Sequence, residues 1–74
     1  MKASEAVREI MEKQNVGVTS MGYKLGKSKN VVCMRLKQDN ISIDKLEDML
    51  RILDYKIVFM PRGSALPKDS YEIH

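Results

Sequence analysis

The stretch Met21-Gly22-Tyr23-Lys24-Leu25-Gly26-Lys27-Ser28 constrains the fold most, because a helix stop and a helix start lie almost side by side in it. Gly26 follows Leu25 where a helix would end, a position that favours a residue able to adopt positive φ. Ser28 then brings a hydroxyl that caps the amides of a following helix. Two short helices joined by a tight turn at Leu25-Gly26-Lys27 are therefore predicted, the second over about residues 28–37.

In the first of these helices, begun at Gly17 or Thr19, Val18, Met21 and Leu25 recur at helical spacing and face inward, while Thr19, Ser20, Tyr23 and Lys24 face out. Gly22 lies inside it, where glycine costs about 1 kcal/mol relative to alanine. Its presence predicts a close approach by the third helix. In that third helix Val32 and Leu36 are the inward pair, with Val31 and Arg35 flanking them. Lys29, Asn30, Cys33, Met34 and Lys37 are left to point away.

Helical patterns flank the pair on both sides. Ser4 is expected to cap a first helix carrying Ala6, Val7, Ile10 and Met11 on one face and ending near Gln14-Asn15. Ser42 is expected to cap a fourth, whose apolar stripe is Ile43, Leu46, Met49, Leu50 and Leu53, with Asp44, Lys45, Glu47, Asp48 and Arg51 in solvent. Tyr55-Lys56-Ile57-Val58-Phe59-Met60 is β-branched and aromatic and ends at Pro61, so it reads as a strand. No partner strand is legible in the chain. A lone strand leaves its backbone groups unpaired, which predicts antiparallel pairing with its copy in a second subunit through Tyr55, Ile57, Val58, Phe59 and Met60. Residues 1–61 form one domain in this reading, and 62–74 a flexible tail.

Charge is distributed unevenly along the chain. From Lys13 to Lys37 there are six basic residues and no Asp or Glu, giving +6, whereas residues 1–12 carry −1 and 39–74 carry −2 within a total of +3. Such a basic window is the footprint expected of a surface that neutralises phosphates; taken alone, a charge run is equally compatible with a solvated helix surface that lacks acids. Seventy-four residues make a single small domain, for which help from a partner subunit is expected. Cys33 is the sole cysteine, which excludes an intrachain disulfide, leaves no zinc ligand set and suggests a cytoplasmic, reducing compartment. The charged N-terminus is unlike a signal peptide, and no apolar run has the length to span a membrane. Enzyme chemistry is not expected: no Gly-rich phosphate loop is present, and the one histidine is His74 at the end of the chain. No metal or other cofactor is called for.

With these residues in view, the chain resembles the Cro/CI-type helix-turn-helix superfamily of phage repressors and bacterial regulators over about residues 3–54. The family commonly reads Leu-Ala-x-x-Leu-Gly-x-Ser where this chain has Met21-Gly22-Tyr23-Lys24-Leu25-Gly26-Lys27-Ser28. Leu36 to Leu46 is similar to the loop and fourth-helix start of small members that finish with a strand. The resemblance implies a compact four-helix, lambda-repressor-like domain followed by a strand paired across a homodimer. It also implies that the third helix enters the major groove of double-stranded DNA.

Lys29, Asn30, Cys33 and Met34 would then read bases together with Arg35, while Thr19, Ser20, Lys24, Lys27, Ser28 and Lys37 contact phosphates. Asn30 offers the donor and acceptor that grip adenine, and Lys29 or Arg35 can donate to guanine. Val18 stands where many members carry a phosphate-binding Gln, and Arg35 where many carry a buried aliphatic residue. The expected function is that of a small dimeric transcriptional regulator, a repressor of phage or mobile-element type, reading a near-palindromic operator. The alternative is the same fold used as a protein-interaction module, an antirepressor or accessory factor.

Overall fold

The computed structural model describes residues 1–63 and 70–73. In chain order it contains α1 (Ala3–Lys13), α2 (Val18–Leu25), α3 (Lys29–Lys37), α4 (Ile43–Ile52), β1 (Ile57–Phe59) and β2 (Tyr71–Ile73). The protein is mainly helical, with a short two-stranded antiparallel sheet after the helices.

One core joins all four helices. It consists of Val7 and Met11 from α1, Met21 from α2, Val32 and Leu36 from α3, Met49 and Leu50 from α4, and Leu53 just beyond. Met21 and Met49 are fully buried. In a chain without tryptophan, unbranched thioethers fill the irregular space between short helices.

The α2–α3 turn is built by backbone chemistry. Gly26 has φ +70°, and its N–H donates to the Tyr23 carbonyl at 3.2 Å while the Lys27 N–H donates to the Gly22 carbonyl at 2.9 Å. These paired bonds satisfy carbonyls that the helix end would otherwise orphan. Gly22 is needed for a second reason: a Cβ there would sit 2.8 Å from the Lys27 carbonyl oxygen and 3.4 Å from the Lys29 nitrogen. The close neighbour is thus the backbone of the turn and of the first residue of α3. Ser28 accepts from the Val31 N–H at 3.3 Å, and Ser42 accepts from the Lys45 N–H at 3.3 Å, so both predicted caps are present.

Side chains of α1 and of the residues flanking it tie down the other ends. Arg8 donates to the Leu36 carbonyl at 3.1 Å and Gln14 to the Leu53 carbonyl at 2.9 Å, and Lys2 pairs with Asp39 at 2.8 Å. Asn15 and Asp54 take positive φ where the chain leaves α1 and α4.

Four expectations are corrected. Ser4 does not cap α1; the helix starts at Ala3, and Ser4, in register with Val7 and Met11, is buried on its inner face. Ile43 is exposed, because the buried face of α4 starts only at Leu46. Glu47, expected in solvent, is buried and accepts from Arg51 one helical turn on.

The fourth correction is the sheet. β1 pairs within the chain, Ile57 opposite Ile73, Val58 opposite Glu72 and Phe59 opposite Tyr71, and Lys56 pairs with Glu72 at 3.1 Å. The backbone groups on one edge of β1 find their partner in residues 71–73, which are strand rather than tail. The remainder of that expected tail, residues 64–69 and 74, lies outside the described residues.

Candidate nucleic-acid interface

The outward surface of α3 follows from helical geometry. Val32, Arg35 and Leu36, at i, i+3 and i+4, form its buried stripe. Lys29, Asn30, Met34 and Lys37 are therefore turned to solvent, with Met34 63% exposed. No acidic residue stands in the first turn of α3.

α2 presents its N-terminus beside this surface. Gly17, the residue preceding the helix, has no side chain to cap it, and no acid occupies the first turn. The positive end of the helix dipole and the first amides are thus left open to an anion. Thr19 and Ser20 are exposed there, and Tyr23, one turn further, is 88% exposed. The sequence places Tyr23 on the outward face without marking a role for it. Its spacing of four from Thr19 is the signal that puts the phenol hydroxyl on the same stripe.

Arg35 is corrected. It is 7% exposed, and its Nη1 is buried without a hydrogen-bond partner among the described residues, so it does not belong to the outward set. The helical period carries position 35 inward with Val32 and Leu36 whatever the charge of the side chain. Cys33 is half-buried and lines a groove between α1, the start of α2 and α3.

The basic residues fall into two groups. Lys37 flanks that groove, close to Cys33. Lys24 and Lys27 instead line a cleft of about 410 Å³ between the end of α2 and α4, together with Asp48 and Arg51. The hydrogen bond and charge of Glu47 raise the pKa of Arg51 above its ordinary value, and the guanidinium on the cleft wall is paired with that carboxylate. Ser28 is exposed but already engaged as the α3 cap.

Apolar side chains are exposed at the other end of the chain. Tyr55 and Phe59 are each 50% exposed, and Met60 and Tyr71 join them around the hairpin. Among the described residues no group of three His, Cys, Asp or Glu is arranged to hold a metal ion, and no helix is long and apolar enough to cross a membrane. No family model matches the chain, and neither does any curated protein or solved structure.

Proposed function

We propose that the protein binds double-stranded DNA sequence-specifically, as a small transcriptional regulator of the Cro/CI helix-turn-helix type. One observation carries the reading: α3 turns Lys29, Asn30, Met34 and Lys37 to solvent next to an uncapped α2 N-terminus, in a window without a single carboxylate. In this reading α2, the turn and α3 are the helix-turn-helix. α3 lies in the major groove, where Asn30 grips adenine N6 and N7 and Lys29 donates to guanine. Met34 meets a thymine methyl. The amides at the start of α2 hold a backbone phosphate, assisted by Thr19, Ser20 and the hydroxyl of Tyr23, and Lys37 holds another.

A domain of this size covers too little DNA for tight specific binding, so two copies read two half-sites about one helical turn apart. The exposed Tyr55, Phe59, Met60 and Tyr71 supply the apolar surface for that dimer. With β1 already paired to β2, the contact is made by the faces and remaining edges of the hairpin. Two-fold symmetry makes the operator near-palindromic.

Selection of bound sequences from random duplex DNA tests this. The winner is expected to contain two inverted half-sites about a turn apart and to bind far more tightly than scrambled DNA at two salt concentrations. Enrichment of nothing, with all binding lost in salt, would leave only phosphate attraction and sink the proposal. The same exposed hairpin would then favour a protein partner, as in an accessory factor or antirepressor.

A further inference from the structure

A groove of about 300 Å³ runs between the second half of α1, the start of α2 and the flank of α3. Its lining is mostly apolar, with Met11, Val16, Val18 and Leu36 as the floor and Cys33 on the α3 wall. Its volume is at the lower end of small-molecule sites, and so is its make-up, an apolar bed with a few polar groups at the edge.

The edge carries more positive than negative character. Arg8 and Lys37 oppose a single carboxylate, Glu12, and Gly17 brings the uncapped N-terminus of α2 to the same place. Arg8 is engaged with the Leu36 carbonyl. Lys37 has no such engagement among the described residues, which leaves its ammonium and the α2 amides to meet a ligand.

We infer that this groove binds a small amphipathic carboxylate, its hydrocarbon part on Met11, Val16, Val18 and Leu36 and its carboxylate between Lys37 and the start of α2. The regulatory consequence rests on the DNA-binding reading. The α2 N-terminus that would hold a backbone phosphate is then occupied by the acid, so the acid acts as an inducer that displaces the duplex.

The chain carries a built-in reporter, because Cys33 is its only thiol and lines the groove. Alkylation of the full chain by iodoacetamide is followed with octanoate as the probe and octanol as its uncharged counterpart. Octanoate is expected to slow labelling by the factor 1 + [L]/Kd, about tenfold once the free acid exceeds its Kd about tenfold. Octanol at the same concentration should protect much less. Lys37→Glu, at an exposed position where folding is checked by circular dichroism, should remove the preference for octanoate and keep the weak protection by octanol. Unslowed alkylation, or equal protection by the acid and the alcohol, overturns the inference.

Release of the selected operator is titrated separately. Protection of Cys33 in a protein that binds no DNA would refute the regulator and support the groove. Operator binding undisturbed by octanoate at protecting concentrations would overturn the inducer role.

Discussion

Replacing Arg35 with methionine should make the protein more stable. Arg35 is 7% exposed, and its Nη1 is buried with no hydrogen-bond partner among the described residues. A buried donor left without a partner costs about 1–3 kcal/mol. Against this stands one favourable term. Arg35 lies in the last turn of α3, where a cation interacts with the helix dipole for about 0.3–1 kcal/mol. Methionine keeps most of the unbranched stem and joins a core already rich in thioethers, so little packing is lost.

The difference favours methionine by about 0–3 kcal/mol, centred between about 1 and 2. For a domain of this length each kcal/mol raises Tm by about 4–8 °C. Equilibrium urea denaturation followed by circular dichroism should show a higher midpoint with an unchanged slope, the signature of altered stability rather than altered compactness. Arg35→Ala removes the same orphaned group but opens a cavity, so it should fall below the methionine variant. A lower midpoint for Arg35→Met would refute the reasoning, since it would mean that the guanidinium is satisfied where it lies. Loss of operator specificity in the same variant would return Arg35 to the DNA-facing set.

Four further outcomes are expected. Gly22→Ala should destabilise the fold by about 1–3 kcal/mol despite alanine's better helix propensity, because the added Cβ meets the Lys27 carbonyl; a gain in the denaturation midpoint would show that the turn yields freely. Asn30→Ala should weaken binding to the selected operator by about 1–3 kcal/mol while leaving scrambled DNA unaffected, as read by fluorescence anisotropy. Equal losses on both sequences would make Asn30 a mere backbone contact. Lys37→Gln should lessen the dependence of log affinity on log salt by about 0.9, and an unaltered slope would remove Lys37 from the phosphate-binding group. Met49→Ala, at a fully buried position, should cost about 2–5 kcal/mol in chemical denaturation, with a loss under 1 kcal/mol indicating that the helices close over the cavity.

The parts of the fold legible in the sequence are those decided by neighbouring residues. Gly26 and Ser28 mark the α2–α3 turn because positive φ and a capping hydroxyl are local requirements, and Ser42 marks α4 in the same way. Gly22 was legible as a close approach, although the backbone it touches belongs to the turn more than to the next helix. What the sequence hid depends on packing at a distance. Ser4 and Glu47 are polar residues on buried faces: a hydroxyl near a helix start reads as a cap, and periodicity weighted by hydrophobicity assigns Glu47 outward. Arg35 shows the same failure inside the candidate site, where its position i+3 from Val32 was the better guide than its charge. β2 spans only Tyr71–Ile73, too short for an alternating pattern to stand out, so β1 was read as lacking a partner. The separation of Lys24 and Lys27 from Lys37 is likewise a matter of which helix each faces, and charge counts along the chain do not contain it.

The turn at Gly26 carries a consequence for how such a protein changes over time. Its two bonds, Gly26 N–H to Tyr23 and Lys27 N–H to Gly22, are made entirely by main-chain atoms, and Gly22 contributes only the absence of a side chain. The exposed residues Lys29, Asn30, Met34 and Lys37 take no part in fixing the angle between α2 and α3. Mutation at those four sites is therefore almost free of structural penalty, since exposed substitutions away from caps and cores usually shift stability by no more than about 0.5 kcal/mol. A lineage could drift to new targets through them while its scaffold stood still, and a randomised library confined to the same positions should remain mostly folded.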